Sequence, residues 1–78
     1  MYYVYILLCS DGKYYVGLTR NINARYQNHL AGLSFSTKYR LPVKLVWTAI
    51  FYSRDKAVAF EQYLKSGSGN AFLKKRLV

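Results

Sequence analysis

The stretch that decides the fold is Tyr2-Tyr3-Val4-Tyr5-Ile6-Leu7-Leu8-Cys9-Ser10-Asp11-Gly12-Lys13-Tyr14-Tyr15-Val16-Gly17-Leu18-Thr19. Two runs rich in aromatic and β-branched residues, Tyr2 to Cys9 and Lys13 to Thr19, flank Ser10-Asp11-Gly12, a turn signal. The reading is a β-hairpin. Its register depends on the turn. A two-residue Asp11-Gly12 turn pairs Leu8 with Tyr15 and puts Tyr5 and Tyr15 on opposite faces. A three-residue loop with Gly12 in the left-handed conformation pairs Tyr5 with Gly17 and Leu7 with Tyr15, so that all four share a face. The second register is preferred because it gives Gly17 a purpose. A glycine inside a strand weakens it and often marks close approach by a ligand or another group; here it leaves a notch beside the Tyr5 ring.

Outward from the hairpin, Asn21 or Asn23 can cap a helix ending at Gly32, with Ile22, Tyr26 and Leu30 as its buried stripe. Arg25 and His29 are four apart and so neighbours on its edge. Such a pair beside a cluster of tyrosines can hold a phosphate, although taken alone Arg25 reads as a solvated charge and His29 as a partly buried core histidine. Leu33 to Leu41 is a polar, basic connection with room for one helical turn, ended by Pro42. Val43 to Phe51 reads as a third strand, with Trp47 as a core anchor in preference to a stacking platform.

Ser53 or Asp55 caps the next helix, which runs to about Lys65 before Gly67. Ala57, Val58, Phe60, Tyr63 and Leu64 make its apolar arc, and Glu61 falls inside that arc. An inward carboxylate needs a partner. It is either half of a structural ion pair or a ligand for a hard cation, since Mg²⁺ is often held by one or two carboxylates plus water and phosphate. Ser66-Gly67-Ser68-Gly69 lacks the spacing of a phosphate loop and reads as a flexible connection. A last helix from about Asn70 to Leu77 buries Ala71, Leu73 or Phe72, and Leu77, and exposes Lys74-Lys75-Arg76.

Composition bounds the function. In 78 residues there are 12 Lys and Arg against three acids, a net charge of +9 spread from Lys13 to Arg76. A surface of this kind attracts polyanions, nucleic acid foremost. One cysteine, Cys9, excludes an internal disulfide, and no Cys/His cluster offers a zinc site. The length suits a single domain over residues 1–78, the lone cysteine makes a reducing cytoplasm the expected compartment, and the longest apolar run, Met1 to Cys9, is far short of a membrane span.

The hairpin, Arg25, Glu61 and their spacing, with Arg40-Leu41-Pro42-Val43-Lys44-Leu45-Val46 and Glu61…Leu64-Lys65, resemble the GIY-YIG nucleases. The likeness is strongest to the small stand-alone bacterial members. The first motif is Tyr3-Val4-Tyr5, with Tyr3 in place of glycine, and the second is Tyr15-Val16-Gly17. The resemblance implies an α+β domain with a three-stranded antiparallel sheet flanked by helices. It also implies a Mg²⁺- or Mn²⁺-dependent phosphodiesterase acting on nucleic acid, DNA before RNA, in repair or recombination. Tyr5, Tyr15, Gly17, Arg25, His29 and Glu61 would form the catalytic set, with Glu61 as metal ligand. Arg20, Lys38, Arg40, Lys65, Asn70, Lys74, Lys75 and Arg76 would bind nucleic acid. A targeting protein partner or a homodimer would supply substrate selection. The alternative on the same fold is a basic nucleic-acid-binding module with little or no cleavage.

Overall fold

β1 (Tyr2–Leu8) is the middle strand of the sheet, and its residues Val4 to Leu7 are buried on both faces. A computed structural model describes all residues from Met1 to Val78. β2 (Tyr14–Thr19) and β3 (Lys44–Phe51) pair antiparallel on either side of β1, in the order β2-β1-β3. Gly12 has φ +79° and closes a three-residue loop, with Cys9 N–H donating to Lys13 O at 2.9 Å. Tyr5 therefore pairs with Gly17 and Leu7 with Tyr15, the register that gives the glycine its purpose. In the β1–β3 ladder the register shifts between Ile6 and Leu7, which pair with Trp47 and Leu45. The shift is a β-bulge on β3.

Alternation along β1 divides the core in two. Val4 and Ile6 join Val16, Ala57, Leu64 and Leu73 on one face. Tyr5, Leu7 and Cys9 join Val43 on the other, against Tyr15, Ile22 and Tyr26. Trp47 packs at the edge of the first cluster, its ring 5.9 Å from Phe60. It is a core residue, as its sequence context suggests.

α1 (Ile22–Leu30) starts at Asn21, whose side chain accepts from Ala24 N, and the chain leaves it through Gly32 at φ +74°. Its buried stripe differs from expectation. Leu30 is exposed and His29 is fully buried, because the helix is rolled to bring His29 over the tyrosine face of the sheet. α2 (Arg54–Lys65) starts at Ser53, which accepts from Lys56 N. Ala57 and Leu64 are its buried positions, while Tyr63 lies at the margin, half exposed.

The glycine-serine run is not a flexible connection. Ser66 alone joins α2 to α3 (Gly67–Phe72), and its hydroxyl donates to Tyr63 O while accepting from Gly69 N. Gly69 is buried where a Cβ would strike the α2 backbone, lying 2.8 Å from Leu64 Cα. The two helices touch through a residue with no side chain. α3 leaves Ala71 exposed and Phe72 partly covered by Tyr63, and it widens into a π-helical turn, Leu73–Leu77, that buries Leu73. Lys74, Lys75 and Arg76 are exposed, as expected.

Candidate active site

Strand alternation brings Tyr5 to the α1 side of the sheet, where only 1% of it is exposed. Its ring lies across Gly17 of the neighbouring strand. A Cβ at Gly17 would come within 2.7 Å of Tyr5 Cε1 and closer still to Cζ and the hydroxyl. No other residue type fits there without displacing the ring.

The Tyr5 hydroxyl is the hub of a buried polar chain. It lies 2.8 Å from His29 Nε2, and Arg25 Nε donates to it at 3.3 Å. His29 Nδ1 is 2.7 Å from Thr37 Oγ1, and Arg25 Nη2 donates to Ser34 Oγ at 3.5 Å. Thr37 and Ser34 are buried and come from the connection after α1, held in a turn by Lys38 N–H to Ser34 O at 2.9 Å. Sequence reading singles out neither. A buried Ser or Thr in a polar loop leaves no periodic trace, and only its neighbour reveals it.

The ionisation states follow from burial and from Arg25. Burial pushes the Tyr5 phenol above its usual pKa, the bond from Arg25 pulls it back, and Tyr15 and Glu61 push it further up. Tyr5 is thus a neutral phenol at pH 7. Burial, with Arg25 adding to it, holds His29 below the ordinary imidazole range, so the ring is neutral. Arg25 is raised, first by its bond to Tyr5, against the opposing effect of burial. The resting site is a phenol, a neutral imidazole and a fixed guanidinium.

Tyr15 completes the aromatic wall. Its ring centre is 6.3 Å from that of Tyr5 and 5.2 Å from that of His29. Glu61 arrives from α2, the helix layer on the opposite face of the sheet, and its charge is felt at Tyr5. Its direct partner is Lys65, at 2.9 Å from Oε2. Tyr5, Tyr15, Gly17, Arg25 and His29 are therefore brought together in contact, and Glu61 makes no hydrogen bond to any of them. No pocket encloses the group.

No cluster of three or more His, Cys, Asp or Glu side chains exists that could cage a metal. The donor set nonetheless fits one kind of cation. The Glu61 side chain is only 17% exposed, and Lys65 engages one of its two carboxylate oxygens. A lone carboxylate with an oxygen to spare suits Mg²⁺ or Mn²⁺, which keep several waters and take substrate phosphate as a further ligand.

The basic residues fall into two groups. Arg40 is ion-paired to Asp11 at 2.9 Å, tying the loop to the hairpin turn, and Lys65 is ion-paired to Glu61. Each already faces a carboxylate, so a phosphate would have to share or replace that partner. Arg20 lies 5.1 Å from the Tyr2 ring centre and is exposed. Lys38 sits between two aromatic rings. Asn70 is half-buried on α3, and its side chain makes no hydrogen bond.

A family model described as the GIY-YIG catalytic domain matches residues 1–76. The chain belongs to the GIY-YIG nuclease family. A UPF0213 protein of Staphylococcus haemolyticus is 40% identical over 74 residues, covering 94% of this chain and 90% of that one. A UPF0213 protein of Streptococcus pneumoniae serotype 4 is 41% identical over 64 residues, a match spanning 81% of this chain and 65% of that protein. The solution NMR structure of the UPF0213 protein BH0048 from Bacillus halodurans superposes with a TM-score of 0.61 at 35% identity, covering 96% of this chain and 84% of that one. The GIY-YIG fold, a three-stranded antiparallel sheet with helices, is the one observed here, and interaction with nucleic acid comes with the family. No helix is long and apolar enough to cross a membrane.

Proposed function

We propose that this chain is a metal-dependent endonuclease that hydrolyses phosphodiester bonds in nucleic acid, DNA in preference to RNA. The observation that carries this reading is the continuous chain Thr37–His29–Tyr5, with Arg25 bonded to the same phenol oxygen.

A phenol with a raised pKa is a poor base by itself. Tyr5 is not by itself. With Arg25 donating to its oxygen, the phenol proton points at His29 Nε2, and the matching imidazole tautomer carries its proton on Nδ1, donated to Thr37 Oγ1. Tyr5 can then take a proton from water while passing its own to His29. The hydroxide forms a new P–O bond as the bond to the leaving oxygen breaks, and the proton rests on His29. Arg25 keeps its charge throughout and presents guanidinium N–H groups to a non-bridging phosphate oxygen. Tyr15 flanks the same phosphate with its hydroxyl. Glu61 would hold the divalent cation, which when bound supplies polarisation of the phosphate and charge neutralisation at the leaving oxygen.

A second reading has an observation of its own. Lys65 already engages one Glu61 oxygen and Tyr5 is 1% exposed, which supports a fold that binds nucleic acid without cutting it. Incubating the protein with end-labelled single-stranded, duplex and branched DNA, and with RNA, with and without Mg²⁺ or Mn²⁺, separates the two. Cation-dependent cleavage supports the nuclease; binding with intact substrate supports the alternative.

A further inference from the structure

The connection between α1 and β3 does two things at once. Its inward side chains, Ser34 and Thr37, are buried and hold Arg25 and His29. Its outward side chains include Phe35 and Tyr39, which are 82% and 84% exposed. Between those rings lies one ammonium, Lys38 Nζ, at 5.1 Å from the Phe35 centre and 5.0 Å from the Tyr39 centre. A cation at this distance from two ring faces holds them in a shared arrangement.

The segment is braced. Leu33 N–H donates to Asn28 O at 2.9 Å, Arg40 N–H to Thr37 O at 2.8 Å, and Ser10 N–H to Arg40 O at 3.0 Å. The Arg40–Asp11 pair fastens its far end to the hairpin. The rings therefore stand on a fixed turn. Isolated surface apolar groups are ordinary, but two aromatic rings around a lysine, on the turn that positions the site, have a chemistry of their own. Exposed π-faces bind unstacked bases, and a lysine beside them binds the backbone charge that accompanies each base.

Resting on the nuclease reading above, we propose that Phe35, Lys38 and Tyr39 form a stacking platform for unpaired bases. The substrates would be single-stranded nucleic acid or the unpaired portion of a distorted duplex. A regular duplex keeps its base faces covered and offers the rings nothing. The net charge of +9 favours this occupant over an apolar protein surface. Because Phe35 and Tyr39 share a turn with Ser34 and Thr37, a strand held on the rings is held next to Arg25 and His29.

The test uses the double variant Phe35→Ala/Tyr39→Ala and a fluorescein-labelled oligonucleotide, single-stranded or annealed to its complement, with affinity read by anisotropy across a salt series. Stacking on each ring contributes about 1–3 kcal/mol by alanine substitution, so single-strand affinity should fall at least tenfold. Duplex affinity should change by less than about threefold, and the salt slope should stay at the wild-type value, since every charge that meets a phosphate is kept. The melting temperature should not move. Wild-type affinity for the single strand in the double variant would overturn the platform, as would equal losses on single strand and duplex. Retained nucleic-acid binding with a loss of self-association would assign the rings to protein contact instead. Wild-type protein that binds neither form would bring down the nuclease reading itself, a different failure.

Discussion

Gly17→Ala tests the packing on which the site depends. The new Cβ would sit 2.7 Å from Tyr5 Cε1, where ordinary contact begins at 3.4 Å, and nearer still to Cζ and the hydroxyl. The ring has nowhere to retreat, being 1% exposed with its hydroxyl held by His29 at 2.8 Å. Overpacking of this kind costs roughly 1–3 kcal/mol. Pulling the hydroxyl off His29 leaves buried polar atoms unpaired, for about 1–3 kcal/mol more. Together these are about 2–6 kcal/mol, a fall in melting temperature of at least roughly 10 °C at ~4–8 °C per kcal/mol. The background matters more than the size. In Tyr5→Leu the atoms that clash are gone, and alanine is intrinsically better than glycine in a strand by ~0.5–1 kcal/mol. Gly17→Ala should then be neutral or slightly stabilising. Urea denaturation of the four proteins in this double-mutant cycle gives the coupling directly. An equal cost in both backgrounds would refute the claim that Gly17 exists to seat Tyr5.

His29 is the only histidine, and its pKa is held below the ordinary value by burial and by Arg25. Between that depressed pKa and ~6.5 the unfolded chain binds a proton that the folded one does not, so stability present above pH ~6.5 is lost as pH falls toward the folded pKa. Thermal melts from pH 7.5 downward should show the decline, and His29→Gln should remove it. Thr37→Val keeps the shape but leaves His29 Nδ1 unpaired. Cleavage should drop roughly ten- to a hundredfold, a share of the ~10²–10⁴ that a positioned proton acceptor supplies, and the acid limb of the pH–rate profile should shift; a wild-type profile would place Thr37 outside the relay. Neutralising Lys74, Lys75 and Arg76 together should reduce the slope of log K against log salt by roughly 0.9 for each phosphate those side chains neutralise, and an unchanged slope would move the binding surface elsewhere.

The hairpin is legible in the sequence because its signals agree. Turn residues and alternation mark the hairpin but allow two registers, and the glycine inside the second strand is what selects the one that pairs Tyr5 with Gly17. Arg25 and His29 are legible as helix neighbours at a spacing of four residues, but their depth is not. His29 displaces Leu30 from the buried face because a polar chain, invisible in a hydropathy pattern, waits for it there. Ser66-Gly67-Ser68-Gly69 misleads for a related reason. Glycine and serine signal a loop locally, yet Gly69 is required by the close crossing of α3 over α2, and Ser66 caps both helices. Glu61 stands out within an apolar arc from the sequence alone. That Lys65, one turn later, reaches it at 2.9 Å is available from the spacing too.

The most direct test of a cation-dependent nuclease built on Glu61 is cleavage by wild type and Glu61→Gln, measured side by side with Mg²⁺, with Mn²⁺ and with a chelator. Glutamine preserves the size and removes the charge that would hold the cation. Wild-type cleavage should require the cation, and Glu61→Gln should cleave orders of magnitude more slowly while its melting temperature and nucleic-acid affinity are kept. Cleavage by Glu61→Gln at the wild-type rate in Mg²⁺, or wild-type cleavage undiminished by chelator, would contradict the mechanism.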